Sequence, residues 1–267
     1  KGRKTSLMLN LMLNLAEDGA STAILMFESS QFFVKCQVLS MLAMRWLKEM
    51  GMYNKADNFN YPMYMGLSAK DIHDARNSYE AWHPTRKQAL KEAFNRMRRL
   101  GDRLRIYSTG YKTGKLSDLQ SCQRILMYDK RRYGTDIASI DHLQRIQEQG
   151  NIYERMSKVS NTLEGFARRE EVALLLLSQM NEEGIKAESV GNSPNVKGGG
   201  DLSAAVDYMV SLAYSASEDS TSAYLTLNMR LSRYGAGGKE VKSTLEIEPV
   251  SGLLGKENVP VKLELPI

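Results

Sequence analysis

Four short and mostly apolar runs, separated by stretches with helical spacing, constrain the fold of this chain more than any other feature. The runs are Thr22–Phe27, Leu104–Tyr107, Ile137–Asp141 and Val172–Leu177. An apolar run of this length with a helix on each side is typical of a parallel strand that is buried on both faces. Strands that alternate with helices predict an α/β fold, with a mainly parallel central sheet flanked by helices.

The remaining segments complete this outline. We expect helices over residues 5–16, Gln31–Met50, 69–100, Leu116–Tyr133 and Ile152–Glu170, and irregular structure over 51–68. Tyr208–Tyr214 reads as a further strand. Tyr224–Leu231 and Val241–Glu248 alternate in polarity around the glycine-rich stretch Tyr234–Gly238, which predicts a C-terminal β-hairpin. The tail from Pro249 has the composition of an edge strand. At 267 residues the chain is expected to form one large domain, residues 1–267.

The start of the chain resembles the last part of a phosphate-binding loop. A P-loop has the form G-x-x-x-x-G-K-[ST] between a strand and a helix. Lys4 and Thr5 fit its last two positions, Arg3 stands where the second glycine belongs, and the first glycine would precede Lys1. We expect Gly2, Arg3, Lys4, Thr5 and Ser6 to contact nucleotide phosphates, with the Thr5 hydroxyl on Mg²⁺. Taken alone, the stretch fits a basic segment before a helix equally well.

Three of the strand ends carry residues suited to nucleotide hydrolysis. Ligands of parallel sheets bind outside the carboxyl ends of the strands, where Glu28, Asp141 and Gln179 follow their apolar runs. Asp141 has the Walker B pattern and would hold Mg²⁺, Glu28 would act as general base, and Gln179 would sense the γ-phosphate. Singly, Asp141 reads as a helix cap, Glu28 as a surface carboxylate and Gln179 as a loop residue. Their order after a P-loop favours catalysis.

Together these segments resemble the RecA-type motor domain of hexameric replicative DNA helicases, the DnaB-like family and the related phage primase-helicases. The segments that carry the resemblance are Gly2–Ala16, Met26–Ser29, Ile140–Gln144, Leu177–Asn181, Asn195–Gly200 before Asp207–Val210, and Arg233–Gly235. The resemblance implies a RecA-like P-loop ATPase that uses ATP and Mg²⁺. It also implies a homo-hexameric ring that moves on single-stranded DNA and unwinds duplex in DNA replication.

The resemblance also implies residues that act between subunits and on DNA. Arg233 resembles the arginine finger that enters the ATP site of the next subunit, and Arg230 stands in for the family's lysine, which is Leu231 here. The glycine-rich segment 181–201 resembles a DNA-binding loop, or else is a disordered connection. Its expected DNA-binding residues are Lys186, Lys197, Gly198, Gly199 and Gly200.

Composition and departures from the family pattern bound these expectations. The net charge of +5 mildly favours an anionic partner, although an ordinary basic surface explains it too. No apolar run is long enough to span a membrane. Cys36 and Cys122 are too few for a disulfide framework, so a bacterial or phage-infected cytoplasm is expected.

Several alternatives stay open at this point. A primase, a polymerase or a helicase loader would be a partner, and an N-terminal domain together with the start of the P-loop would lie upstream. Arg3 in the P-loop supports a weakly hydrolysing ring that acts as DNA-binding scaffold or loader. A RecA-like recombination ATPase would have the same fold.

Overall fold

The computed structural model describes residues 3–52, 66–109, 116–179, 205–216, 223–233, 242–248 and 251–258. Gly2, the predicted DNA-binding residues of segment 181–201 and the turn Tyr234–Gly238 lie outside the described residues, as does most of the segment 51–68.

A four-stranded parallel sheet forms the first half of the fold, as the sequence predicts. Its strands are β1 (Thr22–Met26), β2 (Leu104–Ser108), β3 (Ile137–Asp141) and β4 (Ala173–Leu177), in the order β2-β1-β3-β4. The register aligns their carboxyl ends: Met26 pairs with Ser108 on one side and Asp141 on the other, and Asp141 pairs with Leu177. Whatever follows these residues along the chain is therefore gathered at one edge of the sheet.

Seven helices surround this sheet in the described part of the chain. They are α1 (Lys4–Glu17), α2 (Gln31–Glu49), α3 (Ala69–His73), α4 (Ala75–Ser78), α5 (Pro84–Leu100), α6 (Leu119–Tyr133) and α7 (Ile152–Glu170). Strand β1 is buried throughout, and its side chains alternate between two hydrophobic clusters. Ile24 and Met26 pack with α1, α2 and α5, whereas Ala23 and Leu25 pack with α6 and α7. This burial on both faces explains why β1 is apolar at almost every position.

Two helix boundaries differ from the sequence-based expectation for local reasons. Helix α6 begins at Leu119 instead of Leu116, because Asp118 is its N-cap and accepts a hydrogen bond of 2.7 Å from the Ser121 N–H. The predicted helix 69–100 is interrupted before Pro84, which opens α5. Proline is favoured in a first helical turn because its missing N–H needs no partner there.

The C-terminal strands form a second, antiparallel sheet. It contains β5 (Tyr208–Ala216), β6 (Ala223–Ser232), β7 (Lys242–Ile247) and β8 (Leu254–Asn258), in that order. The pairing of β6 with β7 confirms the predicted hairpin, and β8 is an edge strand as the tail composition indicates. Within the described residues no strand of this sheet pairs with the parallel sheet, so the hairpin belongs to a separate sheet and does not extend the central one.

Helix α1 connects the two sheets. The Asn10 side chain donates to Gly252 O at 2.9 Å and accepts from the Leu254 N–H at 3.1 Å. Gly252 has a φ of +73°, and a Cβ there would lie 2.8 Å from the Ser6 Oγ. A glycine is required at this position for both reasons. The turn before β8 thus packs directly on the first part of α1. No helix in the described ranges is long and apolar enough to cross a membrane.

Candidate nucleotide-binding site

The amino end of α1 is left open to a ligand. Arg3 precedes the helix and makes no side-chain capping hydrogen bond, and no acidic residue lies in the first turn. The N–H groups of Lys4, Thr5 and Ser6 precede the first intrahelical hydrogen bond, from Leu7 N–H to Arg3 O at 3.1 Å. By contrast, side chains cap the other long helices that follow or precede strands: Ser30 for α2, Asp118 for α6 and Asn151 for α7. An uncapped helix start with a positive dipole is suited to an anion.

Arg3 keeps the backbone shape of the glycine that it replaces. Its φ of 51° and ψ of 22° lie in the left-handed region, which glycine enters without steric cost. Its guanidinium carbon lies 5.4 Å from the centroid of the Tyr214 ring on β5, within cation–π distance. The loop geometry expected of a P-loop is therefore retained although the residue is an arginine.

Lys4 and Thr5 contact the ends of two neighbouring strands. The Lys4 Nζ donates to Ser178 O, just beyond β4, at 2.7 Å. The Thr5 Oγ1 donates to Asp141 Oδ2, at the end of β3, at 2.6 Å. Burial lowers the pKa of Lys4 below its ordinary value, and the nearby carboxylates of Asp141 and Glu28 partly oppose that shift. The two residues predicted from the half-motif thus lie beside the two predicted acids.

The end of β1 is joined to the end of β3 by a buried histidine. The His142 Nδ1 lies 3.4 Å from the Glu28 Oε2 and 3.8 Å from the Asp141 Oδ1. The His142 side chain is buried, whereas the Glu28 side chain is half exposed. Glu28 therefore faces solvent at the same edge as the buried Asp141. Sequence reasoning did not assign His142 a role, and its position directly after the Walker B acid was the available signal.

A glutamine connects β3 to the segment after β4. The Gln144 Nε2 donates to Ser178 Oγ at 2.6 Å, and the Gln179 N–H donates to Gln144 Oε1 at 3.3 Å. Ser178 also accepts from Lys4 through its carbonyl, so P-loop and strand ends form one network. Gln144 and Ser178 were not predicted as site residues. The Gln179 residue is exposed, so the γ-phosphate-sensing amide proposed for it faces solvent.

The donor set at Thr5 and Asp141 fits Mg²⁺. A hydroxyl and a carboxylate oxygen are hard ligands, which this ion prefers. Within the described residues no group of three or more His, Cys, Asp or Glu can enclose a metal ion. Mg²⁺ in nucleotide sites ordinarily takes its other ligands from water and phosphate, so one carboxylate and one hydroxyl suffice.

Three further predicted residues are placed away from this edge or left without a described side chain. The Ser6 Oγ faces Gly252, so only the Ser6 N–H is available to a phosphate. Arg233 follows β6, where its N–H donates to Asp207 O at 2.9 Å and its Nη1 lies 3.8 Å from Asp207 Oδ1. Arg230 is in β6, and its side chain lies outside the described residues.

The position of Arg233 along the second sheet separates it from the P-loop of its own chain. Arg233 follows Ser232, which pairs with Tyr208 at the start of β5. Tyr214, the residue that contacts Arg3, is six residues further along the same strand. At about 3.3 Å per residue this separation is about 20 Å.

The fold and this site define a nucleotide-binding α/β domain with P-loop geometry. No protein-family model matches the sequence, and no curated protein matches it. Among solved structures, a helicase ATPase domain matches with a TM-score of 0.71 and 15% identity, over 94% of this chain and 80% of that one. A DnaB-like replicative helicase, solved in a study of its interactions with primase, matches with a TM-score of 0.71 and 15% identity, over 95% of this chain.

The chain spans 56% of that second protein. At 15% identity the likeness establishes the fold: this chain has the RecA-type fold of the DnaB-like helicase ATPase domains, which confirms the fold predicted from the sequence.

Proposed function

We propose that this chain is the ATP-hydrolysing motor domain of a DnaB-like replicative DNA helicase. The observation that carries the proposal is the pair of contacts from Lys4 to Ser178 and from Thr5 to Asp141, which joins an uncapped helix start to two adjacent strand ends. A phosphate chain is the ligand that such a start, a lysine and a hydroxyl–carboxylate pair recognise together. The likeness to the solved helicase ATPase domain supports the same reading.

Each side chain at this edge has a role in the proposed reaction. The N–H groups of Lys4, Thr5 and Ser6 and the Lys4 ammonium bind the phosphates, together with Gly2 and Arg3 of the loop. Thr5 and Asp141 hold Mg²⁺, which neutralises the charge that develops on the phosphate oxygens. Glu28 accepts the proton of the attacking water, and Gln179 contacts the γ-phosphate and transmits its loss to the loop that follows.

The motor would work as a ring of six copies. Arg233, about 20 Å along β5 from the strand position beside Arg3, is suited to enter the site of the next subunit, where its positive charge stabilises the transition state. Arg230 would assist it. Lys186, Lys197 and Gly198–Gly200 would contact single-stranded DNA in the channel. Since one structural neighbour was solved with its interactions with primase in view, a primase is one candidate partner, beside a polymerase or a helicase loader in the cytoplasm.

A second function, a weakly hydrolysing ring that serves as DNA-binding scaffold or loader, is favoured by one observation. Arg3 holds a left-handed backbone that costs a non-glycine residue about 1–2 kcal/mol, and it adds a side chain beside the phosphates. A recombination ATPase of the same fold would assemble into filaments on DNA instead of closed rings.

The test is ATP hydrolysis and strand separation by the protein with and without single-stranded DNA. The motor predicts ATPase activity that single-stranded DNA stimulates, unwinding of a forked duplex, and six-membered rings by electron microscopy. Lys4→Ala should abolish unwinding with an unchanged fold, whereas Lys91→Ala, at an exposed position of α5, should unwind normally. DNA binding without hydrolysis would favour the scaffold, filaments would favour the recombination ATPase, and full activity in Lys4→Ala would refute the P-loop assignment.

A further inference from the structure

The exposed face of α6 carries four residues that we name the α6 basic stripe: Arg124, Tyr128, Arg131 and Arg132. Their spacings of four, three and four residues place them on one side of the helix. All four are exposed, and the Tyr128 side chain is 57% exposed. With Met127 they line an open cleft of about 500 Å³. A large aromatic ring between three arginines on a solvent-facing surface is unusual for a helix that only covers a core.

The stripe carries positive charge that α6 itself does not balance. The one acid within α6 is Asp129, which is fully buried and bound by Arg105 on the inner side. Asp118 caps the helix and attracts Arg124, but its two oxygens accept from Ser121 and Ser117. Within the described residues none of the three arginines of the stripe forms an ion pair with a carboxylate.

Arginines on the neighbouring helices differ in this respect. Carboxylates face those of α5 and α7, in the pairs Arg86–Asp71 at 3.1 Å, Arg168–Glu164 at 2.8 Å and Arg96–Glu49. The stripe is therefore a local excess of charge and not a general property of the surface, and it fits an anionic partner.

The stripe lies at the opposite end of the parallel sheet from the candidate nucleotide site. Tyr133 ends α6, and its carbonyl oxygen accepts from the Ser21 Oγ at 2.9 Å. Ser21 directly precedes β1, so the last turn of α6 lies at the amino ends of the strands, whereas Asp141 lies at the carboxyl ends. A ligand on the stripe would leave the P-loop accessible.

We infer that the α6 basic stripe binds a single strand of nucleic acid through its phosphates and one stacked base. Arginines bind phosphate oxygens in a bidentate manner, and an exposed tyrosine ring stacks on an unpaired base. From Arg124 to Arg132 the helix rises about 12 Å, which accommodates a short run of nucleotides. This contact is additional to the loop proposed above, which holds Lys186 and Lys197, and it does not depend on ATP hydrolysis.

An ordinary alternative explains only part of the stripe. Arg131 and Arg132 lie in the last turn of α6, where positive side chains offset the helix dipole. That effect does not extend to Arg124, which lies nearly two turns earlier, nor to the exposed Tyr128 ring.

The test compares two triple variants with the same net charge. In the stripe variant, Arg124→Gln, Arg131→Gln and Arg132→Gln are combined. In the control variant, Arg86→Gln, Arg96→Gln and Arg168→Gln remove three arginines that face carboxylates. Binding of a fluorescent thymidine oligonucleotide is followed by anisotropy as salt is raised. The stripe variant should lower the slope of log K against log salt by about 2, since each contact on a single strand contributes about 0.7, and the control should leave it near the parent's.

A separate Tyr128→Ala variant should weaken binding by about 5- to 150-fold without changing the slope, because a stacked base carries no charge. An RNA oligonucleotide forms a second arm, and loss of either strand in the stripe variant supports the inference. Equal slopes in the stripe and control variants would overturn it. So would an equal loss of duplex binding with no effect of Tyr128→Ala, or an equal loss of polyglutamate binding. ATPase activity without DNA should be normal in both triple variants, so a failure of the proposed motor function would be recognised separately.

Discussion

The two ends of the parallel sheet hold polar clusters of opposite character. At the amino ends, Asp129 is fully buried and accepts hydrogen bonds from Arg105 at 2.6 to 3.0 Å, from Thr135 at 2.6 Å and from the Tyr107 hydroxyl. At the carboxyl ends, the described donor to the Asp141 carboxylate is the Thr5 hydroxyl, with His142 further away.

The difference separates a structural cluster from a binding site. Burial and the hydrogen bond to Asp129 raise the pKa of Tyr107, which keeps that cluster in one charge state. A buried carboxylate with all its acceptor positions used has no capacity left for a ligand, and its role is to hold α6 on the sheet. The end with Asp141 and Glu28 retains oxygen atoms for a cation and water, and its helix start retains N–H groups for phosphate.

The largest expected effect concerns the charge that this open end lacks within one subunit. Arg233→Ala should leave nucleotide binding nearly intact and lower ATP turnover by roughly 10³-fold or more, because the arginine acts only on the transition state of a neighbour's site. The measurement is steady-state ATPase activity together with binding of a fluorescent ATP analogue.

Mixing subunits provides the control for this prediction. A Lys4→Ala subunit still carries Arg233, and an Arg233→Ala subunit still carries Lys4. Mixed rings should therefore recover part of the ATPase activity that neither variant shows alone. No recovery in rings shown to be mixed would place Arg233 within its own subunit or in a purely structural role with Asp207.

The second prediction separates the two acids of the open end. Glu28→Gln should keep ATP bound with Mg²⁺ but lower turnover by about 10²- to 10⁴-fold, since only the base is lost. Asp141→Asn should weaken Mg²⁺-dependent nucleotide binding itself. Isothermal titration with and without Mg²⁺ distinguishes the two, and identical affinities with normal turnover in both variants would contradict both roles.

The third prediction addresses the closed end. Asp129→Asn should lower the free energy of unfolding by about 3–5 kcal/mol, because it leaves the buried Arg105 without its counter-charge. Asp136→Asn, at an exposed carboxylate directly after Thr135, is the matched control and should unfold at nearly the parent's urea concentration. Equal unfolding midpoints for the two variants would remove the distinction between the two ends.

The smallest effect is expected at Arg3. Arg3→Gly relieves about 1–2 kcal/mol of left-handed strain, but it loses about 0.5–1 kcal/mol of contact with Tyr214 and adds a similar amount of backbone entropy to the unfolded chain. The unfolding free energy should therefore change by less than about 1 kcal/mol, and ATP turnover by less than about threefold. Arg3→Ala keeps the strain and loses the contact, so it should be the less stable of the two. A rise in turnover of more than about tenfold in Arg3→Gly would instead favour the weakly hydrolysing scaffold.

The sequence by itself determined the parallel sheet and the residues that follow its strands. Apolar runs buried on both faces, such as Thr22–Met26 and Ile137–Asp141, are written in local composition, and the strand bounds matched to within a residue or two. Because parallel strands align their carboxyl ends, Glu28, Asp141 and Gln179 were predicted at one edge without knowledge of any side-chain contact.

The tertiary structure alone decided which side chains meet. His142 and Gln144 join the site because the ends of β1, β3 and β4 lie side by side, which no local pattern encodes. Ser6 faces Gly252 from the other end of the chain, and the hairpin strands pair among themselves in a second sheet instead of extending the first. Such contacts depend on strand order and on packing between distant segments, whereas sequence periodicity reports only which face of each segment is buried.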